Sequence, residues 1–291
     1  MSDITPPKDI QSINLDVAQT KATSSLVKLA ILGFLAGAFI AFAAEASNMA
    51  AFSLLAKPAT YGLGRFVAGV VFPAGLMLVV IAGAELFTGN TLMIAAVYEK
   101  KITIGQLLRN WIIVYIFNLV GSVFMAFLIV YSGQLNAGGG ELAGITIKIA
   151  AGKVGLSFTS ALLLGIGCNW LVCLAVWMAY ATKSLAGKIL AIFFPIMLFI
   201  TSGFEHCVAN MYYIPAGMLA SMNPTYVENA MAIGVSAEAM DALTMQGFFV
   251  SNLLPVTIGN IIGGSIFVAS AYFLAYRNKA HKQIDIETQA K

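Results

Sequence analysis

Glu205 and His206 stand side by side in a stretch that is otherwise uncharged from Ile189 to Val227. A carboxylate or a titratable imidazole at membrane depth costs several kcal/mol, so such residues are usually retained for function. Imidazole exchanges a proton near neutral pH, which suits it to proton handling. The second histidine of the chain, His281, lies in a charged C-terminal stretch. We therefore expect His206 to act on a proton inside a membrane.

The same acid-centred pattern occurs twice along the chain. Gly83, Glu85 and Asn90 have the spacing Gly-x-Glu-x-x-x-x-Asn, and this pattern recurs 120 positions later. A second pair of matched segments, Asn110–Gly121 and Asn252–Gly263, has asparagine at the first and ninth positions. Short matches that keep the same order along the chain indicate an internal duplication.

The composition places the chain in a membrane. It is 59% hydrophobic and 10% charged, with a mean hydropathy of +0.87, whereas soluble domains carry roughly 25% charged residues. A helix needs roughly 20 apolar residues to cross a bilayer, and continuous apolar runs favour helices over a barrel. Six runs are predicted to span: Leu26–Asn48, Arg65–Tyr98, Gly105–Gly133, Val154–Thr182, Leu185–Met218 and Gln246–Tyr276.

These features predict an all-α polytopic membrane protein built from two inverted three-helix repeats. Because each repeat has an odd number of spans, the second must enter the membrane in the opposite direction. Inverted repeats place a transport path near the midplane, where corresponding helices are interrupted. We expect spans two and five to break at Glu85–Thr91 and Ser202–Asn210. The predicted division is an N-terminal segment 1–25, a transmembrane domain 26–276 with repeats at about 26–134 and 154–276, and a C-terminal tail 277–291.

Basic residues in the loops predict the orientation of the chain. Twelve Lys and Arg residues fall on the side that carries both termini, and four fall on the other side. Both termini are therefore expected in the cytoplasm, and the net charge of +3 reflects this bias rather than nucleic-acid binding. In the N-terminal segment Ile10, Ile13 and Val17 would share one face of an interfacial helix, although a partly disordered tail fits the pattern equally.

The residues at the two predicted breaks carry donors and acceptors of short reach. A broken helix leaves N–H and C=O groups that lipid cannot satisfy. His206 differs from the other polar residues because its counterpart in the first repeat is the apolar Leu86. We expect the remaining four to brace the breaks rather than contact the transported species: Glu85, Glu205, Asn90 and Asn210.

Metal and hydrolytic chemistry are not indicated. Cys168, Cys173 and Cys207 lie within predicted spans and lack the spacing of zinc ligands, so we expect no disulfide and no metal. An intramembrane hydrolase would need a motif such as His-Glu-x-x-His or Gly-x-Ser-x-Gly, and the chain has neither. We predict a protein without a cofactor and without enzymatic activity.

Three segments carry a resemblance to a known family. They are Glu85-Leu-Phe-Thr88, Gly203-Phe-Glu-His206 with Ala209-Asn210-Met211, and Pro255-Val-Thr-Ile-Gly-Asn260-Ile-Ile-Gly-Gly264. With them the chain resembles the formate/nitrite transporter family over all six spans, and it is most similar to bacterial formate channels. The resemblance implies an aquaporin-like protomer with one pore, a homopentamer in the bacterial inner membrane, and a small monovalent anion, formate, that moves with a proton.

The resemblance also assigns side chains to the pore. It implies an outer constriction from Phe72, Leu76 and Phe199, an inner constriction from Leu86, Phe87 and Val172, and a polar centre where Thr88 bonds toward His206 near Asn169. Lys153 matches the family's vestibule lysine. In this picture Lys153 concentrates the anion, a proton joins it near Thr88 and His206, and the neutral acid crosses.

Alternative substrates remain open. Nitrite and hydrosulfide are close to formate in size, and an apolar site discriminates weakly between such ligands. A neutral-solute facilitator of the water or glycerol type would place paired Asn-Pro-Ala loops at its breaks, whereas the lone Asn223-Pro224 lies in a loop. We therefore favour an anion, with passive conduction and proton symport both compatible with one protonation site.

Overall fold

The computed structural model describes residues 4–276. This part contains six helices long and apolar enough to cross a membrane, which confirms the predicted all-α, six-span fold. The predicted tail 277–291, which includes His281, lies outside the described residues. The spans are Leu26–Leu55, Pro58–Gly83, Ile104–Tyr131, Phe158–Tyr180, Leu185–Ser202 and Gly247–Tyr276.

The helices follow one another with short connections. In the first repeat they are α1 (Pro7–Ala22), α2 (Leu26–Leu55), α3 (Tyr61–Val71), α4 (Pro73–Met77), α5 (Phe87–Asn90), α6 (Ile94–Tyr98) and α7 (Ile104–Tyr131). In the second they are α8 (Glu141–Val154), α9 (Phe158–Tyr180), α10 (Leu185–Ser202), α11 (Cys207–Ala220), α12 (Pro224–Ala232), α13 (Ala237–Asp241), α14 (Leu254–Gly264) and α15 (Ala271–Tyr276). Short 3₁₀ turns cover Pro58–Thr60, Thr91–Met93 and Gln134–Gly140, and π-helical turns cover Leu78–Gly83, Gly247–Leu253 and Ser265–Ser270.

One pair of closely packed helices forms the centre of each repeat. Helix α2 packs along α7 in the first repeat, and α9 packs along α14 in the second. A Cβ atom on Gly37 of α2 would overlap the backbone carbonyl of Asn118, and one on Gly259 of α14 would overlap that of Leu162. Small residues let helix backbones approach in this way in membranes. The two crossings therefore place α7 and α14 close enough to bond with their partner helices.

Spans two and five both stop at a glycine. Gly83 and Gly203 have φ angles of 94° and 77°, a left-handed conformation that only glycine adopts without cost. After each glycine the chain runs without regular structure, through residues 84–86 and 204–206. The inverted duplication is therefore visible in the backbone, since corresponding spans break at corresponding residues.

The breaks are shorter than the predicted stretches Glu85–Thr91 and Ser202–Asn210. The backbone N–H groups of Asn90 and Asn210 donate to the carbonyl groups four residues earlier, at 3.0 and 2.9 Å. Regular hydrogen bonding thus resumes at once after each break. Asn90 lies inside α5 and Asn210 inside α11, so their side chains project from helices rather than from loops.

The N-terminal residues form a helix that packs against the bundle. Helix α1 contacts α6, α7, α9 and α15. Its buried face contains Ile10, Asn14 and Ala18, whereas Ile13 and Val17 are only partly buried. Ile10, Ile13 and Val17 border this face, but the stripe that packs on the protein is centred on Ile10, Asn14 and Ala18 and includes polar side chains. Helix α8 occupies the corresponding place before span four.

Candidate functional site

Asn118 of α7 holds the first break together. Its side-chain Oδ1 accepts the backbone N–H of Phe87 at 2.9 Å. Its Nδ2 donates to the carbonyl oxygens of Gly33 and Glu85, at 2.8 and 2.9 Å. The break strands the N–H of Phe87 and the carbonyl of Glu85 in a buried region, and an unsatisfied buried group costs about 1–3 kcal/mol, whereas the bond to Gly33 ties the asparagine to the unbroken α2. One amide side chain thus replaces the hydrogen bonds that the interrupted helix gives up.

Asn260 of α14 does the same at the second break. Its Oδ1 accepts the backbone N–H of Cys207 at 2.9 Å, and its Nδ2 donates to the carbonyl oxygens of Gly165 and Glu205 at 2.8 and 2.9 Å. Both asparagines are fully buried. The bonding around them is the same in both repeats, group for group.

Glu205 lies in a network of charged and amide side chains next to the second break. Its carboxylate bonds to the ammonium group of Lys153 at 2.8 Å and to Nδ2 of Asn210 at 2.6 Å. Asn210 also donates to Oδ1 of Asn252 at 2.7 Å, and Asn252 donates to the backbone carbonyl of Lys153 at 2.9 Å. The carboxylate is therefore neutralised and held in place although it is only 6% exposed.

Glu85 lies in an equivalent network whose cation is Lys21. The ammonium group of Lys21 bonds to Glu85 at 2.8 Å and to Oδ1 of Asn90 at 2.9 Å. Asn90 donates to Glu85 and to Oδ1 of Asn110, both at 2.8 Å, and Asn110 donates to the backbone carbonyl of Lys21 at 3.4 Å. Helix α1 thus supplies to the first break what α8 supplies to the second.

The sequence analysis did not identify Lys21. It was counted only among the basic residues that predict orientation. The available signal was an offset of 132 positions, which relates Lys21 to Lys153 and also Leu32-Gly33 to Leu164-Gly165. Both lysines precede the predicted repeat limits of 26–134 and 154–276, so the matching contacts extend beyond those limits in both halves.

His206 connects the two breaks. Its Nδ1 accepts the backbone N–H of Ala209 at 3.1 Å and so caps α11. Its Nε2 lies 2.9 Å from the hydroxyl oxygen of Thr88. Because Nδ1 acts as an acceptor, the neutral ring carries its proton on Nε2 and donates it to Thr88. Both side chains are buried, at 3% and 0% exposed.

A cavity of about 390 Å³ leads to His206 from the side opposite the N terminus. We call it the Lys153 cavity. Three basic side chains and one acidic side chain lie on its walls, so its net charge is positive. Its walls include Arg65, Lys148, Lys153, Glu205, His206, Asn210 and Tyr213.

A second cavity, of about 190 Å³, opens on the side of the N terminus. We call it the Lys21 cavity. Lys21, Asn90 and Tyr180 are its polar walls, and Leu76 and Leu86 close its inner end. Each cavity therefore contains one lysine paired with the glutamate of the adjacent break.

A small void of about 10 Å³ lies between the two cavities. This volume is about that needed for one water molecule. The rings of Phe72 and Phe199 meet edge to face, with centroids 5.5 Å apart, and both are 1% exposed. The path is closed here by apolar side chains. The void is bordered by Ile40, Phe72, Leu76, Leu86, Val172, Ile196, Phe199 and His206.

Three residues of the predicted pore set, Thr88, Phe87 and Asn169, are not among those that line the two cavities or the void, although Thr88 bonds to His206. The ring of Phe87 packs edge to face on Trp111 and Tyr115, with centroid distances of 6.0 and 4.8 Å, and it borders a groove between α7 and α14 instead of the void. Asn169 directs its Nδ2 to the carbonyl oxygens of Thr88 and Asn260, at 3.2 and 2.7 Å. Asn169 therefore supports the backbone of the breaks and does not line a cavity.

The structure adds two void residues and one brace that the sequence analysis missed. Ile40 and Ile196 border the void, and nothing in the pattern distinguishes them from other apolar residues of their spans. Arg65 donates from its guanidinium group to the carbonyl oxygen of Ile200, near the C-terminal end of α10. A cation is favourable at a helix C terminus, where the carbonyl groups carry partial negative charge.

Six spans in two inverted repeats, with two cavities on opposite sides of a small void that a buried histidine borders, define a multi-pass membrane transport protein. The chain belongs to the formate/nitrite transporter family, whose model matches residues 8–274. It is 41% identical over 284 residues to a probable formate transporter of Methanothermobacter thermautotrophicus, covering 93% of this chain and 96% of that protein.

Two further similarities cover nearly the whole chain. The formate channel FocA of Escherichia coli (strain K12) is 37% identical over 274 residues, covering 94% of this chain and 95% of that protein. A solved structure described as a pentameric formate channel with formate bound has a TM-score of 0.73 and 35% sequence identity. That similarity covers 87% of this chain and 98% of the other chain.

We predict that Asn260→Ala strongly destabilises the protein. The change leaves the backbone N–H of Cys207 and the carbonyl of Glu205 without this partner and removes one bond to the carbonyl of Gly165 in α9. Each unsatisfied buried group costs about 1–3 kcal/mol, so the free energy of unfolding should fall by several kcal/mol. Unfolding in mixed micelles of increasing sodium dodecyl sulfate content, followed by circular dichroism, measures the loss. Gln246→Ala, which removes an exposed amide, is the control. Equal midpoints for Asn260→Ala and the wild type would contradict the bracing role.

Proposed function

We propose that the chain is a membrane channel that moves formate, one path per protomer, with a proton joining the anion near His206. One observation carries this proposal: the hydrogen-bonded pair Thr88–His206 lies where two lysine-bearing cavities approach each other across apolar side chains. The names of the relatives in the same family support formate as the substrate. The proposal includes no enzymatic step.

The void favours a neutral species over an anion. Apart from His206, it is bordered only by aliphatic and phenyl side chains. Moving a small ion from water into such surroundings costs on the order of 20 kcal/mol in the ideal limit, and still several kcal/mol after relaxation. Formic acid avoids this cost because it is neutral, and the pKa of formate is near that of a side-chain carboxylate. The path must also widen, since the void is too small for the acid.

The lysines act before the anion is neutralised. Lys153 and Lys21 lie at the inner walls of their cavities, each within 2.8 Å of a glutamate. Each pair is neutral overall, so the ammonium group offers hydrogen bonds without leaving an unpaired buried charge. In this proposal Lys153 and Lys21 receive the anion on opposite sides, and Glu85 and Glu205 keep the lysines in place.

His206 acts as a hydrogen-bond donor in this arrangement. A neutral imidazole that gave up its Nε2 proton would become an anion, which is far too costly at this site. An imidazolium could release a proton, but it would first have to release the backbone N–H of Ala209 from Nδ1. We therefore assign His206 and Thr88 the task of holding the anion by hydrogen bonds at the inner end of the Lys153 cavity. The apolar void beyond disfavours the anion, so formate takes a proton there from hydronium that arrives through the water of the cavity, and formic acid and water result.

The protein is proposed to lie in the bacterial inner membrane as a homopentamer with both termini in the cytoplasm. The excess of Lys and Arg on the terminal side supports this orientation, so the Lys153 cavity would face outward.

We predict that a cysteine replacing Glu238 in intact cells reacts with an impermeant maleimide, and that one replacing Thr23 does not. Native mass spectrometry is expected to give five chains per particle. The reverse labelling pattern would refute the proposed orientation, and another number of chains per particle would refute the homopentamer.

We predict that replacing His206 lowers formate uptake and flattens its pH dependence. His206→Asn keeps a side-chain acceptor for the N–H groups of α11 but loses the Nε2–H donor beside Thr88, whereas His206→Phe loses both groups. In neither variant is the anion held where it takes its proton. Proteoliposomes loaded with a pH dye and mixed with formate in a stopped-flow instrument report the flux. Glu228→Gln, an exposed change, is expected to behave as the wild type. Unchanged, pH-dependent flux in both His206 variants would sink the proposal.

We predict that formate crosses faster than nitrite or hydrosulfide in the same proteoliposomes. All three anions have small conjugate acids, so the comparison depends on fit to the path rather than on charge. Stopped-flow measurements at equal gradients compare the fluxes of the three anions, and glycerol is included to test for the passage of a neutral solute. A faster flux of nitrite or hydrosulfide would reassign the substrate within the family, and selective glycerol flux would favour a neutral-solute facilitator.

A further inference from the structure

A third buried glutamate, Glu45, differs from the two at the breaks. Glu85 and Glu205 each bond to a lysine and to an asparagine amide. Glu45 lies in the middle of α2 and is 3% exposed, yet its hydrogen-bond partner is a phenol. Tyr212 donates to Oε2 of Glu45 at 2.5 Å. Neither the bracing of the breaks nor the contacts of His206 involve this carboxyl group.

Glu45 has unused bonding capacity beside the Lys153 cavity. Its Oε1 is buried and has no hydrogen-bond partner among the described residues, and the same is true of Nδ2 of Asn48, one turn further along α2. Asn48 lines the Lys153 cavity. These two atoms offer an acceptor and a donor to a water molecule that enters from the cavity. A water molecule held between them would give Glu45 a route for a proton to the Lys153 cavity.

The pair Glu45–Tyr212 lies directly behind the wall of the proton path. On α2, Ile40 borders the void and Asn48 borders the cavity, so Glu45 lies between these two levels. On α11, Tyr213 lines the cavity and Tyr212 is the next residue around the helix. A charge on Glu45 would therefore be felt by an anion moving between the cavity and His206.

The charged groups on the surrounding elements are already engaged. Arg65 of α3 bonds to the carbonyl of Ile200, and Lys153 of α8 bonds to Glu205. Lys148 of α8 bonds to the carbonyl of Ile233 at 3.1 Å. The other titratable side chains on the helices that pack here include Tyr61 of α3, Glu141 of α8, and Tyr212 and Tyr213 of α11. The buried side chains of the outer half of α7 are apolar: Met125, Ala126, Ile129 and Val130.

An ionised Glu45 would thus be a buried carboxylate without a cation. Burial of an unpaired charge is far more costly than burial of a neutral carboxylic acid, and such groups usually neutralise. The neutral acid keeps the bond from Tyr212 and adds an O–H donor. The absence of a cation and the burial of Glu45 therefore favour its neutral form.

We propose that Glu45 is a second proton-binding site of the protein and that it takes its proton from the Lys153 side. When Glu45 is deprotonated, its charge slows the entry of anions from that side. Protonated Glu45 leaves the cavity with the net positive charge that attracts an anion. Ionised Glu45 places a negative charge behind the cavity wall, and like charges repel over several ångströms in this low-dielectric region. Entry would then respond to outer acidity separately from the protonation of the substrate. This transport consequence rests on the proposed function, whereas the proton binding does not.

Glu45→Gln tests the effect on transport because glutamine has the shape of the neutral acid. Initial formate uptake into proteoliposomes is measured from acidic to alkaline outer pH. The variant and the wild type are expected to match under acidic conditions, and the variant to be several-fold faster under alkaline conditions. The ratio of the variant rate to the wild-type rate at each pH cancels the effect of formate protonation, which is the same for both proteins. Equal rates at every pH, or a variant slower at every pH, would overturn the proposal.

Tyr212→Phe tests the same site from the other side. The Tyr212 hydroxyl stabilises an ionised Glu45, so its removal should move the alkaline decline of uptake to higher pH. Glu228→Gln removes an exposed carboxylate on the same side of the membrane and is expected to reproduce the wild-type profile. A decline at unchanged or lower pH in Tyr212→Phe would count against the assignment.

Infrared difference spectra test the proton directly and need no transport. Between acidic and alkaline buffer, the wild type is expected to lose a carbonyl band of a protonated carboxylic acid that shifts in D₂O. The band should be missing in Glu45→Gln and retained in Glu228→Gln. If the band is the same in Glu45→Gln as in the wild type, the proton-binding site is refuted. If the wild type moves no formate, the proposed function fails, while this measurement still decides whether Glu45 binds a proton.

Discussion

The whole arrangement depends on satisfying the backbone where two membrane helices are broken. Lipid offers no hydrogen bonds, so each break is possible only because the side chain of Asn118 or Asn260 supplies them. These asparagines reach the breaks because glycines such as Gly37 and Gly259 let the helices approach closely. The requirement explains why the buried polar residues next to the two breaks come in matched pairs, such as Asn118 with Asn260 and Glu85 with Glu205.

The duplication supplies a symmetric frame, and function arises where the symmetry is lost. Lys21 and Lys153 each pair with the glutamate of the adjacent break and line a cavity, which is the basis for proposing that both sides receive the same ligand. At the centre His206 corresponds to the apolar Leu86, and both border the same small void. His206, as the one hydrogen-bonding side chain that borders the void, suits a species that is charged in both cavities and neutral between them. Two such groups would make the centre polar enough to hold an ion.

The sequence predicted the positions of the polar residues at the breaks better than it predicted which apolar residues line the path. The positions of Glu85, Glu205, Asn90 and Asn210 followed from a motif because a helix break needs donors and acceptors close in the chain. Phe87 could not be placed in the same way, because the side chains of adjacent residues at a helix break are directed to different sides. Its ring packs on Trp111 and Tyr115.

The sequence by itself determined that the chain crosses a membrane six times, that its halves are inverted copies, and that a lone imidazole lies at one of two breaks. These follow from composition, spacing and the cost of burying polar groups, which are local properties. Only the tertiary structure decided which distant groups meet: Lys21 with Glu85 across 64 positions, Thr88 with His206 across 118, and Glu45 with Tyr212 across 167. Helix packing sets those encounters, because the register between helices depends on how all their side chains fit together.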